Sequence, residues 1–588
     1  MTESTSPVRT SPGDHSARRT RWKTPAGDLS VLAIPELGRL GECAAGNAAM
    51  FGQVRCGDSA APLVAPCPEE RREARRAVLV AARDWTRDLL GAISGDGGHT
   101  RVGEAREPSD ERATELLDSG EWYLTGHQPA LFHPGVWVKN FVVAELARRR
   151  SGVGLNLIVD NDTAAPPTIM LPAGDPQAPH FTTVPYDVPP TSGPWEEAGV
   201  VNRSVFDQFG ESAERALSQF LPVLGEESVL PAFWDNVVRA RQKLVNPAWA
   251  FSAARAALER QFGWGNLELP LSRLCELDCF RRFVGRVLAD LPRLHAIYNS
   301  VLADYRRINR LRSKTHPVPD LRRDQEWLEA PFWVWRAGES QRLRLMARRV
   351  GNRLELSDGR EILGGFELMD DVGQGAVDAL AKLSQRGIKL RTRALTTTLF
   401  SRLYLADLFV HGIGGAKYDE MTDRIIGQFW RIRPPAFATL SATVRLPIAS
   451  FTESAGDLHT LRLKLRDIEQ HPERFLDQPA SPQAKALVLE KRRLIAEQGV
   501  ARGGRLSPGD GAWYAPGAGR ERYRRLQAIS RELAQFTGEC RRELMTRLAE
   551  TERRVSANVV LRNREYAFCL YPATKLRSFF DHVCHAVR

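Results

Sequence analysis

Two histidine-bearing glycine turns hold the side chains best suited to chemistry. In Trp122-Tyr123-Leu124-Thr125-Gly126-His127-Gln128 an apolar run ends in a turn that leads to an amphipathic stretch from Trp137 to Arg149. In Leu408-Phe409-Val410-His411-Gly412-Ile413-Gly414-Gly415-Ala416-Lys417-Tyr418-Asp419 the same succession returns. Strand, tight loop and helix start together bring backbone N–H groups and the helix dipole onto an anion. A site for a nucleotide or a carboxylate at the strand C-termini is therefore expected. His127 could donate to a phosphate or a developing oxyanion, while Thr125 and Gln128 offer hydrogen bonds to a hydroxyl or carboxylate from the same turn. Capping of the turn is the competing role for His127. His133 follows near the helix start, and Lys139, one to two turns further, is expected on the solvent face. In the second turn Gly412, Gly414 and Gly415 permit close backbone approach, Lys417 supplies a mobile cation, and Tyr418 and Asp419 begin the helix.

A third cluster ends the apolar run Leu155–Ile158, where Asp160 and Asp162 flank Asn161. Side chains two apart on an extended segment share a face. The two carboxylates could then hold an ammonium, a ribose or a divalent ion, and their repulsion would raise one proton affinity, as a general base requires. An Asx turn that ends the strand is the alternative. Arg393 and Arg445, on strand-like segments near the second turn, are further candidates for anion binding. No residue set is assigned to a metal. Cys275 and Cys279 are four apart, but no second Cys or His pair lies nearby, so a reduced pair on one helix face is expected.

The elements that must position these groups follow from periodicity. Val78, Leu79, Ala82, Trp85, Leu89 and Leu90 have helical spacing and mark a helix over 69–93, beside the first strand. The proline-studded stretch 166–194 reads as extended, and helical patterns fill 195–311. Alternation at Arg342–Leu345 and Arg353–Leu356 marks strands of a small subsheet, and 373–383 reads as a helix delivering the chain to the second half of the core. Two apolar stripes close the chain: Leu458, Leu461, Leu465 and Ile468, then Tyr523, Leu526, Ile529, Leu533, Phe536, Cys540, Leu544 and Leu548. The Gly- and Pro-rich 499–519 between them is expected to be non-helical. Two antiparallel arms of ~40 residues would project ~60 Å, and dimerisation through them is the expected way to cover their stripes.

The succession of the Gly126 turn, the acidic strand end at Asp160–Asp162, the Gly412–Tyr418 loop and a closing helical hairpin resembles the family of cysteine-adding enzymes of bacillithiol formation (cysteine ligases). That family has a T-G-Q-Q turn, an acidic strand end and a G-G-P-G-E-x-x-Y-type loop. The resemblance spans roughly 121 to 588. His127 stands where the family usually has Gln, and Lys417 about where it usually has Glu. The resemblance implies an enzyme that joins cysteine to the amine of a glucosamine-malate conjugate through an amide bond, with small-molecule amine and amino-acid substrates. Activation of the carboxylate calls for ATP and Mg, although no standard ATP motif occurs, and acyl phosphate and acyl adenylate both stay open. Two alternatives remain: an amide ligase or nucleotidylyl-transferase-like enzyme with another amine acceptor, and a basic module that binds nucleic acid or protein through a degenerate cleft.

Composition sets the outer limits. The 588 residues are 43% hydrophobic and 26% charged, enough for more than one globular domain. A net charge of +11 fits an anionic partner. Arg exceeds Lys along the whole chain, however, which argues for compositional bias over a nucleic-acid partner. Eight cysteines without close pairing make no disulfide framework, no run is long enough for a membrane span, and a reducing cytoplasm is the expected compartment. The fold class is α/β: a Rossmann-like parallel-sheet core with a helical insertion and a C-terminal antiparallel coiled-coil hairpin. Its divisions are a disordered tail (1–28), the first half of the core (29–194), a mainly helical insertion (195–345), the second half (346–450), the coiled-coil arm (451–565) and a segment returning to the core (566–588).

Overall fold

The structure, a computed structural model, describes residues 23–54, 65–94, 120–189, 193–220, 227–313, 315, 318–368, 372–476, 481–503 and 518–588. The chain forms two compact units, one of 1–171, 183–447 and 564–588, the other of 172–182 and 448–563.

The first unit is built on a six-stranded sheet. Its strands are β1 (Ser30–Ile34), β2 (Trp122–His127), β3 (Val153–Ile158), β6 (Leu267–Pro270), β13 (Leu408–His411) and β14 (Ala438–Thr443), in the order β1-β14-β13-β2-β3-β6. All neighbours are parallel except β1, which runs antiparallel on β14 at one edge. From β2 the chain winds outward through β3 to β6, then returns to β2's other side with β13 and β14. The winding therefore reverses between β2 and β13. Every residue of β3 and β14 is buried, as expected for parallel strands covered on both faces.

Leu124, Leu155, Leu157 and Leu269 pack in one cluster with Val78, Leu79 and Ala82 of the Pro68–Gly91 helix. The Pro134–Arg149 helix carries a second cluster, in which Phe141 stacks on Phe580 at 3.7 Å and Trp137 lies against Phe568 at 4.4 Å. Gly135 opens that helix directly against β14. A Cβ there would sit 1.9 Å from the Ala442 carbonyl oxygen, so only glycine allows this approach.

The 195–345 stretch, expected to be a helical insertion, also supplies the core strand β6, reached through the Leu230–Lys243 and Pro247–Gln261 helices. Four residues, Leu267–Pro270, are too short for periodicity to separate from the helices around them. The expected subsheet forms as β8 (Trp327–Arg336), β9 (Leu343–Val350), β10 (Arg353–Ser357) and β11 (Ile362–Glu367), with β7 (Arg323–Asp324) pairing β8. β12 (Ile388–Thr392), read as leading into the core, joins this sheet by pairing with β8 instead. Within 166–194 the extended pair β4 (Thr168–Ala173) and β5 (His180–Pro185) forms.

Most of the expected tail lies outside the described residues, but its end is tied down. Pro25 O accepts from Thr443 Oγ1 (2.6 Å), and Asp28 Oδ2 accepts from Lys575 (2.9 Å). These polar contacts are made at long range, which a compositional reading does not register.

In the second unit the Ala455–Gln470 helix packs along Gly538–Leu561, and Pro482–Gly503 along Ala518–Ala534. Leu461, Leu465 and Ile468 meet Cys540, Leu544 and Leu548; Ala484 and Leu487 meet Ile529 and Leu533. The arms are not continuous. His471-Pro472 ends one helix, because proline disfavours a helical residue before it, and a 3-10 turn at Gln535–Thr537 interrupts the other. Helix also continues to Gly503 and resumes at Ala518, inside the stretch expected to be non-helical. An interior glycine costs a helix only about 1 kcal/mol.

Among the described residues no helix is long and apolar enough to cross a membrane. Among the described residues Cys275, Cys279, Cys540, Cys569 and Cys584 are free thiols, and Cys67 is disulfide-bonded.

Candidate functional site

β2 and β13 are adjacent and parallel, so their C-terminal turns open on the same edge of the sheet where the winding reverses. In doubly wound sheets that edge is where ligands bind. His127 and His411 each end one of these two strands.

His127 directs Nδ1 at the Gln128 carbonyl (3.1 Å) and sets its ring edge-on to Phe132. A carbonyl only accepts, so Nδ1 bears the proton and Nε2 the lone pair. Burial first, and then the charge of Lys139, push its pKa down to about 3. His133 caps the Pro134–Arg149 helix by accepting the Gly135 N–H at Nδ1 (3.1 Å). Burial and the Arg564 charge lower it to about 4. Lys139 is 3% exposed, not on the solvent face, and its ammonium donates to Gly126 O at 3.1 Å. Burial lowers it to about 8. The turn thus meets one ammonium and two neutral imidazoles, while its Gln128 donates to the Asp162 carboxylate at 2.5 Å.

The β13 turn is electrostatically different. The helix begins at Ile413 with Gly412 as its N-cap, so Gly414, Gly415 and Lys417 lie in its first turns and not in a loop. His411 Nε2 lies 2.6 Å from Asp419 Oδ2, and Arg402 Nη1 donates to the same oxygen at 2.9 Å. A carboxylate has no proton to give, so Nε2 bears the proton and Nδ1 is the open nitrogen. Burial alone would push Asp419 up; the hydrogen bond from the His411 ring and the charge of Arg402 outweigh it and hold the carboxyl well below its usual range. Arg402 also reaches Asp423 at 2.6 Å. Gly415 lies under the ring, where a Cβ would stand 2.7 Å from Nδ1. At Gly412 and Gly414 a Cβ would meet nothing within 4 Å, so a ligand has room over this helix start. Lys417 is exposed, and Tyr418 is half-buried against the core.

The acidic strand end does not form a joint carboxylate site. Asp160 accepts Ser272 N–H at 2.9 Å and Ser272 Oγ at 2.5 Å, while Asp162 accepts Gln128 Nε2 at 2.5 Å and Arg342 Nη1 at 3.1 Å. The strand has ended at Ile158 and the backbone turns, with Asp160 N donating to Ile158 O (2.9 Å), so the two-residue alternation no longer holds. Asp162 Oδ1 also accepts the N–H of the next residue, Thr163, at 2.8 Å, one residue short of the contact that defines the Asx turn weighed as the alternative. Asp160 is fully buried, and burial followed by the Glu196 charge pushes it up to about 6.

Thr125 spends its hydroxyl on Val410 O (2.9 Å), tying β2 to β13. Arg393 caps a helix over Ala394–Phe400 and pairs with buried Glu329 (2.7 Å), and Arg445 holds Ala26 O (2.6 Å). Both guanidinium groups are thus partly engaged within the chain, with Arg393 Nε and Nη2 and Arg445 Nε left without a hydrogen-bond partner among the described residues. Cys275 and Cys279 flank a break between two helices, and burial pushes both thiols up to about 12. No His, Cys, Asp and Glu grouping among the described residues could hold a metal.

The partners missed from sequence are Asp419, Arg402, Lys139 and Arg564. Asp419 left a signal: it interrupts the buried stripe Ala416, Thr422, Ile425, and an acid in such a stripe needs a partner. Lys139 left another, since Val136 to Leu146 is apolar nearly all round and a helix of that kind is buried.

No family model and no curated protein sequence matches the chain.

Proposed function

We propose that the chain is a cysteine ligase, acting at a Rossmann-like switch point and resembling the enzyme that adds cysteine to glucosaminyl-malate in low-molecular-weight thiol synthesis. The reading is supported above all by the adjacency of β2 and β13, which sets the His127 and His411 turns side by side at strand C-termini. The Lys139 ammonium at the β2 turn suits a carboxylate, such as that of cysteine or of malate. The helix start at Gly412–Gly415, with Lys417 beside it, suits phosphates.

ATP bound over Gly412 and Gly414 would supply activation of the cysteine carboxylate as an acyl phosphate or acyl adenylate. Asp160 and Asp162 are engaged by Ser272, Gln128 and Arg342, so magnesium would arrive with the phosphates and not on a preformed acidic site. His411, with Nε2 held by Asp419, presents Nδ1 as the base that takes the proton of the attacking amine. His127, through Nδ1–H and a neutral ring, lies where it can steady the carboxyl oxygen. Attack of the amine nitrogen on the activated carbonyl carbon forms the amide and releases phosphate or AMP. The paired helices of the second unit are read as a coiled-coil arm that dimerises, with Leu463, Leu489 and Tyr523 exposed on it; a monomeric mass in light scattering at micromolar concentration would overturn that part.

The test is mass spectrometry of the protein incubated with cysteine, glucosaminyl-malate and ATP-Mg, with a control lacking ATP. The condensed thiol is expected only with ATP, and it should disappear in His411→Ala. Unchanged turnover after replacing both His127 and Lys417 by alanine would sink the placement of substrates between the two turns.

A further inference from the structure

The amine of Lys139 is buried at the switch point, and its only hydrogen-bond partner among the described residues is a backbone carbonyl, Gly126 O. The charged and titratable groups around it supply no counter-ion. On β2 there is His127. At its own helix start stands His133, whose Nε2 meets Arg564 Nη2 at 3.3 Å and Glu565 at 3.4 Å. Glu565 also pairs with Arg564 at 3.0 Å. On the Pro247–Gln261 helix, Glu259 accepts from Arg255 (2.7 Å), Trp137 (2.6 Å) and Asn140 (2.8 Å), and Arg255 reaches on to Glu268 (2.6 Å). Each nearby acid is thus already engaged by an arginine. A buried ammonium without an anion is unfavourable, so such a group either sheds its proton or waits for an opposite charge.

We propose that Lys139 is the built-in counter-charge for an anionic ligand group, a carboxylate or a phosphate, seated on the β2 turn. The inference rests on the reading of that turn as a substrate site, and it adds a consequence: binding takes up a proton. In the free protein the amine titrates at about 8. A bound anion raises that value, so above it ligand affinity falls by up to about tenfold per pH unit.

Isothermal titration calorimetry with malate and with inorganic phosphate, each in two buffers of different ionisation enthalpy near pH 8.5, measures the proton uptake directly. Wild type should take up a fraction of a proton with at least one probe. In Lys139→Met the uptake should drop to that of the ligand's own ionisation, and binding should weaken at least tenfold at pH 7. Response to malate alone identifies a carboxylate subsite, to phosphate alone a phosphate subsite, and to both a site that accepts either. Equal affinity and equal uptake in Lys139→Met, or no binding of either probe at millimolar concentration, overturns the proposal. Should that variant not fold, trace acetylation of the wild type read by mass spectrometry decides: the apparent pKa of Lys139 rises with the probe if the proposal holds and stays fixed if it fails. Amide product formed by Lys139→Met at the wild-type rate would defeat this inference and leave the ligase reading standing; proton-linked binding without any amide product would do the reverse.

Discussion

The turns after β2 and β13 share a pattern of apolar strand, histidine beside glycine, and helix, yet the protein treats their two histidines in opposite ways. His127 is surrounded by Lys139, His133 and Arg255, and burial among cations keeps its ring neutral with Nε2 open. His411 is fastened to a buried carboxylate that Arg402 also holds, with Nδ1 open. A histidine's chemistry is set by the partner of its other nitrogen. Local motif alone would have assigned both rings the same work.

The largest effect expected from breaking this contrast comes at Asp419. Asp419→Ala leaves the guanidinium of Arg402, 1% exposed, short of an anion. Loss of a buried partner of this kind costs about 3–5 kcal/mol, to be read from urea denaturation at pH 7. A cost below about 1 kcal/mol would show that Asp423 alone satisfies Arg402.

At the β2 turn the probe is acid. The folded pKa of His127 lies below its unfolded value of about 6.5, so its contribution to stability is present above that value. It is lost as pH falls from there toward about 3. The loss is on the order of a few kcal/mol, and His127→Gln should flatten the fall in Tm across that window relative to wild type. His133 follows the same sign toward about 4, so the double variant should flatten the fall further, while Asp160, held up at about 6, acts in the opposite sense. Asp419 loses its contribution lower down, as pH falls below the usual carboxylate range. A variant slope identical to wild type would mean that the His127 ring is solvated and not buried among cations.

A milder cut is Gly415→Ala, whose methyl would have to displace the His411 ring. Overpacking of this kind costs about 1–3 kcal/mol. The imidazole NMR chemical shifts of His411 should move with it while those of His127 stay in place. The smallest effect belongs to Lys417→Ala: the side chain is exposed, so stability should change by less than about 0.5 kcal/mol. Any loss of ATP-dependent turnover in that variant then reports on phosphate binding and not on folding.

Several features could be read from residue order. Apolar runs gave the strands Trp122–His127, Val153–Ile158 and Leu408–His411, and stripes at helical spacing gave the helix pairs of the second unit, because burial imposes a period on whatever lies against a core. The short β6 and the break at His471-Pro472 were less visible, the first because four residues carry no period, the second because one proline was outweighed by long stripes on either side.

The amino-acid sequence by itself determined that two glycine turns with histidines would end strands and precede helices, since sterics and hydrophobic period act over a few residues. Only the tertiary structure decided that these strands are neighbours, that Asp160 and Asp162 turn to different partners, that Arg393 and Arg445 engage Glu329 and Ala26, and that one histidine meets a carboxylate and the other a lysine. The reason is physical. Charge pairing and desolvation depend on distances between segments up to hundreds of residues apart, and those distances exist only once the sheet has closed its order.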